Sequence, residues 1–235
     1  GGRMELQLHT GDIGNYLKNH DIKPSYQRMK IFQYLLDHHS KLIIVACNTA
    51  TTNAITHLRA KYKVPFIGIE PAIKPAGLYS QTKTIGVLAT QSTLKSAFFA
   101  NTCQQLLDKG IIVLKQEGIG LVPLIEEGKI DTPEMMALLE QYLRPMVAKG
   151  MDYLVLGCTH YPYLTSLISE ILPENVRIMD SAQAVAKQTE RILSQNNLLA
   201  KEEEHVPSHL WLTNKNAEIL QSFAPPQVKV QYEKF

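Results

Sequence analysis

The stretch Lys41–Leu58, KLIIVACNTATTNAITHL, decides how the chain is read. Leu42–Ala46 is a short β-branched apolar run, the pattern of a strand buried on both faces. It breaks off at Cys47-Asn48-Thr49, and a helical pattern follows at once. A thiol between a strand's carboxyl end and a helix's first turn meets free N–H groups and the positive end of the helix dipole, both of which favour thiolate. Open α/β sheets also place their ligands at that edge. The arrangement recurs at Asp152–Gly157, DYLVLG, which leads into Cys158-Thr159-His160, then Tyr161-Pro162 and a helical pattern over Tyr163–Leu172. One such cysteine alone reads as a small core residue. Two in matching surroundings read as the halves of a paired site.

Working outward, strands and helices alternate from Lys41 onward. Strands are expected at Val64–Ile69, Thr84–Ala89, Ile111–Lys115, Val176–Asp180, His209–Thr213 and Val228–Tyr232. Helices are expected at Ile73–Leu78, from Thr90 to about Leu107, Pro133–Lys149, Ala182–Gln195 and Asn216–Phe223. Leu121–Glu127 reads as a turn-rich segment. Such alternation means βαβ units and a mostly parallel sheet. It is read here as two α/β lobes with a crevice between them facing the two cysteines. Before Lys41 the pattern is helical, at Asn15–His20 and Tyr26–His39, with Ile31, Tyr34 and Leu35 spaced to pack inward. The expected division is 1–40 as a helical opening segment, 41–76 with 181–235 as a first lobe, and 77–180 as a second.

Composition narrows the function. Apolar content of 45% supports a real core, and a formal charge of +2 gives no sign of a nucleic-acid or membrane-surface protein. No apolar run approaches the roughly 20 residues that span a bilayer. Three scattered cysteines do not make a disulfide framework. Cys103 lies in an amphipathic stretch and reads as core. No C-x-x-C or histidine cluster points to a metal, and a reducing cytoplasm is where reactive thiols survive.

CNTATTNA at Cys47–Ala54 and GCTHYPYL at Gly157–Leu164 resemble the two signatures of the glutamate racemases, within the aspartate/glutamate racemase superfamily. GVLAT-x-x-T at Gly86–Thr93 and VPLIEEG at Val122–Gly128 resemble that family's intervening segments, in the same order. The resemblance runs from about Lys41 to the C-terminus. It implies a cofactor-independent racemase that interconverts L- and D-glutamate, the D form feeding peptidoglycan synthesis. The fold it implies is two pseudo-symmetric parallel-sheet α/β lobes around a ligand crevice. Carried across by position, Cys47 and Cys158 are the acid/base thiols. Glu126 and His160 are their polar partners. Asn48, Thr49, Thr90, Thr93 and Thr159 hold the amino acid. Read without the resemblance, His160 is a capping or packing residue, Glu126 a solvated helix entry, and Thr90 and Thr93 helix caps. No partner beyond the small-molecule substrate is implied, neither nucleic acid nor membrane, though family members are often homodimers.

The chemistry runs the same way. Inverting an α-carbon requires a proton taken from one face and returned to the other, so two acid/base groups must stand on opposite sides of the substrate. Thiols suit both roles, because helix N-termini lower a cysteine pKa and burial raises it. The scheme needs no pyridoxal-binding lysine.

The opening departs from the pattern. The family's D-S-G-x-G-G turn and P-Y-G segment, expected before the first cysteine motif, are not found, so the first lobe is expected to lack its opening strands and the activity to fall by orders of magnitude. Leu17–His39 instead resembles the first helices of ferric-uptake and peroxide-stress repressors, through K-P-S-Y-Q-R at Lys23–Arg28. DNA binding needs a major-groove helix and a clustered basic face, and this piece supplies neither. Three readings follow in order: a glutamate-racemase-type enzyme, a non-catalytic protein that keeps the amino-acid crevice, and a DNA-binding regulator.

Overall fold

The computed structural model describes residues 26–200 and 209–234. The expected helix at Asn15–His20 and the Lys23–Ser25 part of the repressor-like motif lie outside the described residues. The described residues form two compact units, 44–52 with 67–191 in one, and those within 1–43, 53–66 and 192–235 in the other.

The larger unit is built on a four-stranded sheet of order β4-β3-β5-β6, every neighbouring pair parallel. Its strands are β3 (Thr84–Ala89), β4 (Ile112–Glu117), β5 (Tyr153–Gly157) and β6 (Arg177–Met179). All six residues of β3 are buried, as befits a central strand covered on both faces. Alternate side chains serve the two faces. Ile85, Val87 and Ala89 join Val155 in a cluster with Ala72, Ile73 and Ala76 of the α3 region (Ile73–Tyr79) and with Phe99 and Leu106 of α5 (Ala97–Leu107). Cys103 packs against this cluster, as its amphipathic setting predicts. On the opposite face Gly86 lies under the Met146 and Met151 sulfurs. That face is covered by α7 (Pro133–Ala148), whose Met135, Leu139, Leu143 and Met146 are buried. Each fully buried aliphatic side chain of this kind contributes about 1.5–3 kcal/mol.

At the amino edge of the sheet, buried Asp152 accepts hydrogen bonds from the Ser80 hydroxyl at 2.6 Å and from the N–H groups of Gln81 (2.6 Å) and Thr82 (3.0 Å). Burial alone would raise its pKa, but these donors outweigh it and hold the carboxyl below its ordinary value.

Three local expectations change. The single helix expected from Thr90 to Leu107 is two, α4 (Gln91–Leu94) and α5, because Ser96 adopts an extended backbone and caps α5 through Phe99 N–H. The turn-rich Leu121–Glu127 is a helix, α6 (Leu121–Glu126), launched from Gly120 at φ 82°. Its Pro123 falls in the first turn, where no intrahelical N–H is required. The segment after Cys158 is a 3₁₀ turn, Tyr161–Leu164, running into α8 (Thr165–Ile171).

The other unit contains α1 (Tyr26–Asp37), with Phe32 against the rings of Tyr62 and Phe66 at 5.1 and 5.7 Å. Tyr34 and Leu35 are half-buried as expected, but Ile31 is 39% exposed and Phe32 makes the ring contacts in its place. The same unit holds the parallel pair β7 (Leu210–Thr213) and β8 (Lys229–Tyr232), joined through α9 (Ala217–Phe223). Asn216 caps α9 with its side chain. Among the described residues, the strand β1 (Ile43–Val45) pairs only with β2 (Phe66–Gly68). Ile43 is buried but Ile44 is 40% exposed, so the expected two-sided burial of this run does not occur.

Candidate active site

The parallel register brings three strand ends to one level. Ala89 pairs with Glu117 on one side and with Gly157 on the other. The next residues, Thr90, Gly118 and Cys158, therefore leave the sheet side by side at its carboxyl edge, the edge where open α/β sheets bind ligands. The Gly118 N–H continues the ladder to the Ala89 carbonyl at 3.0 Å.

Cys47 stands between β1 and α2 (Asn48–Lys61), half-buried, and its carbonyl accepts the Thr51 N–H at 2.8 Å to open the helix. Thr51, 2% exposed, holds this turn in place. Its hydroxyl donates to the Val45 carbonyl and accepts from the Ile69 N–H, each at 3.0 Å. Asn48 is buried, and its amide nitrogen donates to the Gly157 carbonyl at 2.7 Å. The residue after one cysteine thus grips the residue before the other, across 109 positions of sequence.

Cys158 is half-buried at the tip of β5. Its sulfur lies 3.8 Å from Nδ1 of His160, and Nε2 of His160 lies 3.3 Å from a carboxylate oxygen of Glu126, the last residue of α6. Burial pushes the Cys158 thiol up, the backbone N–H groups of His160 and Tyr161 oppose that, and negative charge on Cys47 adds to the rise. The carboxylate, imidazole and thiol form a chain able to pass a proton. With Nε2–H donated to Glu126, Nδ1 is left to accept from the thiol, and an imidazolium would in turn stabilise the thiolate. Cys103 stays apart, in the core, its thiol also raised by burial.

The predicted substrate-holding residues fall as follows. The Thr90 and Thr93 hydroxyls are 3.1 Å apart. Thr90 occupies the N-cap position of α4 without making a side-chain cap bond, and Thr93 is buried. Thr49 and Thr159 are half-buried, each within two residues of a site cysteine. The support around these residues was not readable from the sequence. Fully buried Tyr161 donates its hydroxyl to the Gly118 carbonyl at 3.4 Å, tying the 3₁₀ turn after Cys158 to the end of β4. Neither this contact nor the Asn48–Gly157 bond has a local sequence signal, since each joins segments far apart in the chain. Among the described residues, no group of His, Cys, Asp and Glu side chains is arranged to hold a metal ion, and no helix is long and apolar enough to cross a membrane.

Two cysteine-bearing strand-to-helix turns, one after β1 and one at the carboxyl edge of the four-stranded sheet, are joined by the Asn48–Gly157 bond, the arrangement of an α/β protein with a paired-thiol site. Residues 19–189 match the Asp/Glu/Hydantoin racemase family. The chain is 40% identical over 199 residues to a glutamate racemase of Cupriavidus pinatubonensis, covering 85% of this chain and 72% of that one. It is 41% identical over 204 residues to a glutamate racemase of Pseudomonas putida, covering 84% and 75%. Among solved structures, a glutamate racemase isoform of Bacillus anthracis superposes with a TM-score of 0.73 at 26% identity, over 97% of this chain and 82% of that one. The chain belongs to the Asp/Glu/Hydantoin racemase family. The match starts at residue 19, so the racemase likeness reaches into the stretch that resembles the repressors.

Proposed function

We propose that this chain interconverts L- and D-glutamate without a cofactor, by a two-thiol exchange at the α-carbon, and so supplies D-glutamate for peptidoglycan. The observation that carries the reading is the Asn48–Gly157 hydrogen bond, which couples the turns bearing Cys47 and Cys158. Relatives about 40% identical that carry the glutamate racemase name support it.

In one direction the Cys47 thiolate takes the α-proton and the Cys158 thiol returns its own proton to the opposite face. The thiols end with their protonation states exchanged, ready for the reverse reaction. Burial keeps Cys158 in the thiol form, the state needed to donate. When Cys158 serves as base, His160 and Glu126 support its loss of the proton. The α-proton beside a carboxylate is very weakly acidic, so preorganised donors must stabilise the developing charge. In this reading Thr49, Thr159 and the Thr90–Thr93 pair hold the carboxylates and amino group of the substrate. The thiols must remain reduced, which fits a cytoplasmic setting.

The test is loss of optical activity from L-glutamate, with L-aspartate as the control. Faster loss with glutamate is expected. Constant rotation, with glutamate still raising the melting temperature, would instead make the chain a binding protein. A difference of one methylene is worth roughly 1–3 kcal/mol of discrimination between the two substrates.

A further inference from the structure

We propose that Asn48 acts as a positioning residue for the two thiols, setting their separation through Gly157 rather than serving chiefly to grip the substrate. The role of the pair rests on the racemase reading above; the geometry does not. Asn48 is 6% exposed, and its amide nitrogen is committed to the Gly157 carbonyl at 2.7 Å. That carbonyl belongs to the peptide that launches Cys158, so fixing it fixes the direction in which Cys158 leaves β5. Gly157 has little freedom to escape. It pairs in register with Ala89, whose Cβ lies so close that a Cβ on Gly157 would stand 2.7 Å away. On the other side, Asn48 is held by the first turn of α2, which Thr51 ties to Val45 and Ile69. The path from one sulfur to the other therefore runs through rigid parts: the Cys47–Asn48 peptide, one buried hydrogen bond, and the Gly157–Cys158 peptide. A displacement of about 1 Å in such a site costs on the order of 10²-fold in rate.

The experiment measures the thiol separation directly. In a Cys103→Ser background, Cys47 and Cys158 are bridged with bis-methanethiosulfonates of graded spacer length, and bridged protein is quantified by mass spectrometry. The parent should show one sharp optimum of spacer length. Asn48→Asp keeps the shape but sets a carboxylate oxygen against the Gly157 carbonyl, so the optimum should broaden or shift while single-thiol modification proceeds at the parent rate. The same variant should lose about 10²-fold in kcat, with KM for glutamate unchanged within a factor of three. Should Asn48→Asp fail to fold, Asn48→Ala, which withdraws the donor without adding charge, gives the same reading. An unchanged spacer optimum together with a raised KM would overturn the proposal and make Asn48 a substrate ligand. A broadened optimum in a chain whose parent does not racemise glutamate would sustain the positioning role and refute the racemase reading instead.

Discussion

Ala89 and Gly157 lie side by side on adjacent parallel strands, so close that a methyl group on Gly157 would sit 2.7 Å from the Ala89 Cβ. The residue before Cys158 is thus set by its neighbour strand. Gly157→Ala forces the two strand ends apart, where overpacking typically costs about 1–3 kcal/mol. The expected result is a lower melting temperature and a loss of racemisation larger than the loss of stability explains. Adding Ala89→Gly should restore much of both, since the residues touch and their effects couple. A double variant no better than Gly157→Ala alone would contradict this packing.

The Cys158 thiol should titrate above the ordinary cysteine value of about 8.5, because burial and negative charge on Cys47 both disfavour its thiolate. Alkylation of Cys158 by iodoacetamide, followed by peptide mass spectrometry across pH in a Cys103→Ser background, should show a midpoint above that value. In Cys47→Ser the like charge is gone, and the midpoint should fall. A midpoint below 8.5 in the parent, on that same reference scale, would contradict the burial argument.

Replacing His160 by Asn interrupts the path between Glu126 and Cys158 at 3.3 and 3.8 Å. Activity should fall by about 10²-fold, the lower end of general acid–base contributions, with Glu126→Gln losing less. In both variants the alkaline limb of the kcat profile should move, because the partner that supports the Cys158 thiolate is weakened. Parent-like profiles would leave His160 and Glu126 as a surface ion pair only.

At the far edge of the sheet, Asp152 predicts acid sensitivity. Although burial opposes it, the Ser80, Thr82 and Gln81 donors hold its folded-state pKa below the unfolded value of about 3.9. Its contribution is therefore complete above that value and is lost as pH falls through the lower folded pKa. Asp152→Asn faces the same donors with an uncharged amide and should cost about 1.5–3 kcal/mol at neutral pH, the range for a hydrogen bond to a charged group. Chemical denaturation should find the variant closer to the parent at pH 3 than at pH 7, on the unfolded-state scale just given. An equal gap at both would contradict the assignment.

Much of this arrangement is legible in the sequence because its signals are local. Thr84–Ala89 is a continuous apolar run, and it forms the fully buried central strand with the expected bounds. The two cysteine turns are visible as a repeated change from apolar run to polar triplet to helical period. Other features depend on contacts the chain makes far away. Ile44 looks like its neighbours yet is 40% exposed, because burial of a strand face depends on what packs over it from elsewhere in the chain. Ser96 looks like one more helical residue, but its hydroxyl caps a new helix at Phe99. Thr90 looks like a helix cap, yet its hydroxyl turns to Thr93. Asn48 resembles a substrate ligand in its motif, and only the fold reveals that its amide nitrogen is bound to Gly157.

The most direct test of the two-thiol account is deuterium entry at the α-carbon of glutamate in heavy water, measured for the parent, Cys47→Ser and Cys158→Ser. The account predicts that L-glutamate gives D-glutamate carrying one α-deuterium, and that either serine variant lowers the rate by about 10²–10⁴-fold. Absence of α-deuterium with the parent chain, or a parent-like rate in both serine variants, would contradict it.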